Sequence, residues 1–194
     1  MINVDKNTFL DINLKAINKN YKIIKQIVGR KCIIAATVKA NAYGLGADQV
    51  ATSLIKKGCK YFFVATTNEA IHLRKLNKKI FIFILNGLVT KELNNIRKFN
   101  LIPVINNLAQ LKKIENYQKE NNCFLNIAIH FDTGMSRLGL DQNETENLIK
   151  NKALLIKKSK LRLIMSHLSC ADDKKSELNK IQLNKFNFIK SHFP

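Results

Sequence analysis

The sequence predicts an α/β chain, and within that class a (β/α)8 TIM-type barrel of which about six strand–helix units are present. Three observations lead there. Six short, nearly continuous apolar runs rich in β-branched residues recur at 33–38, 61–66, 80–85, 101–105, 125–131 and 162–166. Runs of that kind are how strands read when both faces are covered, as in a parallel sheet. Stretches with helical spacing lie between them, and repeated strand–helix alternation implies right-handed βαβ units. The third observation is negative. The segment after the first run, Lys39-Ala40-Asn41-Ala42-Tyr43-Gly44-Leu45-Gly46, contains no GxGxxG, which would have favoured an open doubly wound sheet.

The helices follow in order from spacing and caps. An opening helix over 8–28 places Leu10, Leu14, Ile17, Tyr21, Ile24, Ile27 and Val28 on one face. Residues 47–58 put Val50, Leu54 and Ile55 together, and Gly58 stops the helix. Residues 68–76 carry Ala70, Leu73 and Leu76. Thr90 reads as an N-cap for Leu93, Ile96 and Phe99. Residues 107–120 align Leu108, Leu111, Ile114 and Tyr117, and a last helix covers 176–189. A full eight-unit barrel typically needs about 250 residues. The 194 residues present are therefore read as one incomplete barrel domain over 1–194.

Composition excludes several classes. Two prolines and seven glycines leave no room for a Pro- or Gly-rich linker. No apolar run approaches the ~18 residues that a membrane span needs. The segment Met1-Ile2-Asn3-Val4-Asp5 has no basic region followed by an apolar one, so no secretory leader is expected. Cys32, Cys59, Cys123 and Cys170 are widely spaced and form no CxxC pair, which points to reduced thiols in the cytoplasm and to no structural zinc. The formal net charge is +19, a value that can signal nucleic-acid binding. Lysine, asparagine and isoleucine, the residues of A/T-rich codons, occur 28, 24 and 24 times, whereas arginine occurs five times. A nucleic-acid binder favours arginine, so the charge is read as base composition and no nucleic-acid partner is expected.

In a barrel, chemistry collects just after the strands. Lys39 follows the first apolar run, and a lysine held there is expected to be desolvated, favouring the free amine that attacks a carbonyl to form an imine. Tyr43 comes four residues later, and Leu85 ends the third run. His130, Asp132 and Arg137 follow the fifth, and His167 the sixth. Arg137 with Asp132 reads as a local salt bridge or as an arginine aimed at an anion. His167 reads as a structural group or a catalyst. His72 and His192 lie in helical stretches and read as structural.

Three of these segments, in this order, resemble bacterial alanine racemases. Val38-Lys39-Ala40-Asn41-Ala42-Tyr43-Gly44-Leu45-Gly46 is similar to that family's pyridoxal-phosphate signature. Asp132-Thr133-Gly134-Met135-Ser136-Arg137-Leu138-Gly139 and Ser166-His167-Leu168-Ser169-Cys170-Ala171-Asp172 resemble its second and third blocks. The resemblance implies pyridoxal 5'-phosphate as cofactor, held in an imine linkage by Lys39, which is also one of two bases. It implies Tyr43 on the cofactor phosphate and Arg137 on the ring's phenolic oxygen, at the edge where substrate binds. It places His167 beside the pyridine ring and Leu85 in the pocket wall. It further implies alanine as substrate, racemised between its L and D forms for cell-wall precursors, and a homodimer for a full-length member.

Two positions depart from the pattern. Leu45 stands where the family usually has histidine. His130 stands where it commonly has a lysine carried as a carbamate that steadies the arginine. A histidine brings no negative charge, so Arg137 is expected to be less rigidly held, with Asp132 or a bound anion substituting. The family's opposing base is a tyrosine of a C-terminal β-domain from the partner subunit, a region not among these 194 residues. The fragment alone is therefore expected to be inactive. The alternative reading is a barrel that binds pyridoxal phosphate without racemising.

Overall fold

The computed structural model describes residues 9–156 and 159–193, with side chains described for all of these except 152–156. One expectation, the absence of a leader in 1–5, lies outside the described residues. The opening helix expected over 8–28 begins only at Leu14: residues 9–13 are not helical, and Asn13 Oδ1 caps the helix by accepting the Ala16 N–H at 3.0 Å.

The chain alternates helix and strand throughout. Helix α1 (Leu14–Val28) is followed by β1 (Ala35–Thr37), a short left-handed turn α2 (Lys39–Tyr43) and α3 (Ala47–Lys56). Then come β2 (Tyr61–Val64), α4 (Thr67–Leu76), β3 (Phe81–Ile84), α5 (Leu93–Lys98), β4 (Ile102–Ile105) and α6 (Leu108–Glu120). Next are β5 (Asn126–His130), α7 (Gln142–Ile156), β6 (Lys160–Met165) and α8 (Glu177–Lys190). The six strands form one parallel sheet in the order β1-β2-β3-β4-β5-β6. Among the described residues β1 and β6 are its edges. Opposite Ile127 and Ala128 the register shifts by one residue, leaving Arg162 of β6 as the extra residue of a bulge.

Alternation along the strands divides the apolar residues into two layers. Phe62, Val64, Ile82, Ile84, Ile105, Ile127 and Ile129 face the helices and belong to the main core, with Leu54, Leu73, Ile96, Leu111 and Ile114 packed on them. Phe83, Ile102, Val104 and Ala128 form a second cluster on the other, inner face. Tyr61, Phe63, Leu85, Leu163 and Met165 are only partly buried around it. Tyr61 stacks on Phe81 and Phe63 on Phe83, with ring centroids 4.9 and 4.8 Å apart.

Several elements differ from expectation. Only Leu14, Ile17 and Tyr21 of the α1 stripe reach the core; Leu10, Ile24 and Ile27 are exposed. Strand β1 covers only three residues, Ala35–Thr37, of the run expected at 33–38. Thr90 does not cap α5. It opens a 3-10 turn, Thr90–Glu92, that leads into the helix. Helix α7 was not anticipated, since its first two turns are polar and only Thr145 and Leu148 of its described side chains are buried. Its start is nevertheless written in the sequence, because Asp141 Oδ1 accepts the Glu144 N–H at 2.8 Å.

Candidate active site

Every segment singled out for chemistry emerges at the C-terminal end of the sheet. Strand parity sends Thr37, Phe63 and Ala65, Phe83 and Leu85, and Ala128 and His130 to the inner face; Lys39 comes after the strand, beyond Val38 at ψ 23°, with its charge within reach of His167. Val38, between Thr37 and Lys39, points the other way and is buried in the main core.

The turn that carries Lys39 is left-handed. Ala40, Asn41, Ala42 and Tyr43 have φ of 51°, 54°, 55° and 56°. Each L-residue there is disfavoured by roughly 1–2 kcal/mol. The turn is held by compensating bonds: Ala42 N–H to Val38 O at 2.9 Å, Gly46 N–H to Asn41 O at 2.9 Å, and Ala47 N–H to Asn41 Oδ1 at 2.8 Å. Gly44, at φ 87°, ends it without steric cost. Lys39 is half-buried and Tyr43 is 63% exposed, and the Lys39 Nζ lies 5.9 Å from the Tyr43 ring centre. The enclosure expected for Lys39 is thus only partial, because the inner face beside the β1 edge is open.

The loop after β5 is closed by backbone. Asp132 N–H donates to Leu140 O at 2.9 Å and Leu140 N–H to His130 O at 2.8 Å. Within it, Asp132 Oδ1 accepts the N–H groups of Gly134, Met135 and Ser136 at 2.9, 2.9 and 3.1 Å. Asp132 therefore organises the loop and makes no ion pair with Arg137. The salt-bridge reading of that pair is corrected accordingly. Arg137 is exposed, and its guanidinium has no hydrogen-bond acceptor among the described residues.

His130 is 6% exposed, and its Nδ1 lies 3.1 Å from Asn106 Oδ1. Asn106 Nδ2 donates to Leu85 O at 3.0 Å and Val104 O at 3.2 Å. With the amide hydrogens engaged, Oδ1 must accept, so His130 Nδ1 carries the ring hydrogen and Nε2 keeps its lone pair. Burial holds the His130 pKa below its ordinary value. The charges of His167 and Arg137 add to the drop, and Asp132 opposes it. His167 is lowered likewise, first by desolvation, then by the cations Arg137 and Lys39. His167 thus lies within electrostatic reach of Lys39, Arg137 and His130. Leu85 is half-buried on the same face.

Gln182 of α8, 1% exposed, ties two of these loops together. Its Oε1 accepts from Ser169 N–H and Oγ at 2.9 Å each. Its Nε2 donates to His167 O at 3.0 Å and Thr133 Oγ1 at 3.2 Å. Neither Gln182 nor Asn106 stood out in the sequence, since each acts through partners distant in the chain. Glu69 did not stand out either, although Thr66-Thr67-Asn68-Glu69 is a capping-box signature. His72 pairs with Asp48 at 2.7 Å on the surface, and the His192 ring packs edge-on to Phe188, both away from the site. No group of three or more histidines, cysteines or acids suited to a metal occurs among the described residues.

The chain is 43% identical over 186 residues to the alanine racemase of Rickettsia prowazekii, covering 95% of this chain and 46% of that one. It is 41% identical to that of Rickettsia typhi over the same shares. Its fold superposes on the alanine racemase of Bartonella henselae with covalently bound pyridoxal phosphate. There the TM-score is 0.88 at 35% identity, over 94% of this chain and 51% of that one. A histidine racemase of Leuconostoc mesenteroides shares the fold alone, with a TM-score of 0.80 at 22% identity, over 91% of this chain and 47% of that one. The chain spans about half the length of the relatives it matches. Residues 12–194 match the alanine racemase N-terminal domain, and the chain belongs to that family.

Proposed function

We propose that this chain supplies the cofactor-holding half of a pyridoxal-phosphate-dependent racemase that interconverts L- and D-alanine. The observation that carries the reading is the convergence of Lys39, Arg137 and His167 at one end of the sheet, where both cations act on the same imidazole.

The residues present suit the cofactor. Lys39 offers an amine to an aldehyde, Tyr43 a hydroxyl to a phosphate, and Arg137 unengaged donors to a phenolic oxygen. A neutral His167 ring suits the side of a pyridine, and Leu85 supplies an apolar wall. The nearby carboxylates, Asp132 and Glu69, are occupied by backbone N–H groups, which blunts their repulsion of an anion. When bound, the cofactor acts as an electron sink that acidifies the Cα–H of an amino acid. Lys39 Nζ then removes or returns the proton at Cα on one face. The base for the opposite face comes from outside these 194 residues, by resemblance a tyrosine of a partner subunit in a homodimer. On this reading the chain alone exchanges one face and does not racemise. Four free cysteines support a reducing, cytoplasmic setting. Dispersed lysines support no nucleic-acid partner, and no helix among the described residues is long and apolar enough to cross a membrane.

The test is to incubate the folded chain with pyridoxal phosphate, reduce with borohydride and locate the added mass. The expected label is on Lys39 and is lost in Lys39→Ala. A folded chain that takes no label at Lys39 overturns the reading. Exchange of the alanine α-proton in deuterium oxide separates racemase chemistry from a barrel that only carries the cofactor.

A further inference from the structure

Glu69 sits on α4, yet its carboxylate does more than cap that helix. Oε2 accepts the N–H groups of Ala65 at 2.7 Å and Thr66 at 3.1 Å, and Thr66 Oγ1 returns a bond to Glu69 N–H at 3.3 Å. A capping box needs only one carboxylate oxygen. The other, Oε1, crosses to the neighbouring strand end and accepts the Ala40 N–H at 2.7 Å. Ala40 N–H belongs to the peptide that joins Lys39 to Ala40. Holding that peptide plane fixes the backbone of Lys39 on its C-terminal side, and with it the direction of Cα–Cβ. Ala40 also opens the run of left-handed residues, in which only Asn41 has a side chain that favours positive φ. One carboxylate therefore joins the ends of β1 and β2 at the point where the candidate cofactor lysine leaves the sheet.

We propose that Glu69 is a positioning residue for Lys39, bridging the Lys39–Ala40 peptide to the end of β2 so that the amine is presented on the inner face. The proposal rests on the reading that Lys39 is the cofactor lysine, and its test separates the two. Glu69→Gln keeps the shape but leaves one acceptor oxygen and turns an NH2 toward an N–H donor. Glu69→Asp keeps the charge at the helix start but is one methylene too short to span both strand ends. Thr66→Ala weakens the helix cap and leaves the bridge.

Three readouts apply to each variant: hydrogen exchange of the Ala40 amide without cofactor, the rate of reductive methylation of Lys39 by formaldehyde, and borohydride-fixed pyridoxal phosphate on Lys39. In Glu69→Gln and Glu69→Asp the Ala40 amide is expected to exchange at least tenfold faster. Methylation of Lys39 should shift severalfold relative to Lys75, and cofactor labelling should fall at least tenfold. Amides of β3 and β4 should stay protected, and Thr66→Ala should change none of the three. Should Glu69→Gln fail to fold, Glu69→Asp gives the same three readouts. Unchanged Ala40 exchange overturns the bridge. Faster Ala40 exchange with unaltered Lys39 methylation overturns the positioning role. If wild-type chain takes no cofactor, the cofactor reading fails, and Ala40 exchange with Lys39 methylation still decides the bridge.

Discussion

Two arginines stand at opposite ends of the same sheet and are treated in opposite ways. Arg74 lies where the strands begin. It is 8% exposed, and its guanidinium donates to five backbone carbonyls: Phe99 and Asn100 after α5, and Asn77, Lys78 and Ile80 after α4. Burial lowers its pKa, and no carboxylate among the described residues pairs with it. The carbonyls it binds lie in the connections that follow α4 and α5, and the C-terminal ends of the helix dipoles add attraction. Arg137 lies where the strands finish, exposed and without an acceptor among the described residues. A guanidinium whose three nitrogens all donate is a clamp, whereas one whose donors are unengaged can take a ligand. The sheet thus separates stability at one end from chemistry at the other, as barrels do.

The largest expected effect breaks the clamp. Arg74→Met keeps most of the volume but leaves five carbonyls without their donor. It should destabilise the fold by about 3 kcal/mol or more, read as a drop in the urea midpoint. A loss under about 1 kcal/mol would mean that water replaces the guanidinium, and the contrast with Arg137 would then be one of exposure only.

The next effect lies in the loop that presents Arg137. A Cβ on Gly139 would stand 2.8 Å from Asp132 N and 2.9 Å from Phe131 C, at a φ of 109° that L-residues rarely adopt. Gly139→Ala should cost about 2 kcal/mol and speed hydrogen exchange at Leu140, whose N–H bonds to His130 O. Exchange at the Ile80 amide, beside the Arg74 clamp, should not change. Loosening at both ends would show that the two regions are not independent.

Legibility in the sequence follows the same division. The outer layer was readable, because Ile82, Ile105, Ile127 and Ile129 sit in short β-branched apolar runs of the kind a covered strand shows. Lys39, Arg137 and His167 were readable because each follows such a run. The supporting groups were not. Glu69 reaches Ala40 across 29 residues, Asn106 reaches Leu85 across 21, and Gln182 reaches Thr133 across 49. Hydrogen bonds over such separations leave no periodicity in the chain. The left-handed turn was equally hidden. Ala-Asn-Ala-Tyr carries little that favours positive φ, and the turn exists because its surroundings hold it.

Acid should find the chemical end first. His130 and His167 both have folded pKa values below 6.5, so below that pH the unfolded chain binds protons that the folded chain refuses. The fold then loses stability as pH falls from about 6.5 toward the folded values, and these two groups contribute no slope well above it. For one proton the slope is at most about 1.4 kcal/mol per pH unit. Around His130 the charges are Asp132, Arg137 and His167, and the first opposes the other two. His130→Gln should flatten the dependence of the urea midpoint between about pH 5 and 7. An equally steep dependence in that variant would place the titrating group elsewhere.

The smallest expected effect is the sharpest for the comparison. Arg137→Gln removes a cation that makes no hydrogen bond among the described residues, so stability should change by no more than about 0.5 kcal/mol. The same substitution removes a charge that holds His167 down, so the His167 pKa, followed by its ring proton shifts, should rise toward the ordinary value. The two measurements must move apart. If Arg137→Gln costs as much stability as Arg74→Met, both arginines are clamps, and the end of the sheet where the strands finish is structural as well. If the His167 pKa stays still, Arg137 does not face the histidine in solution, and the convergence of Lys39, Arg137 and His167 on one site fails with it.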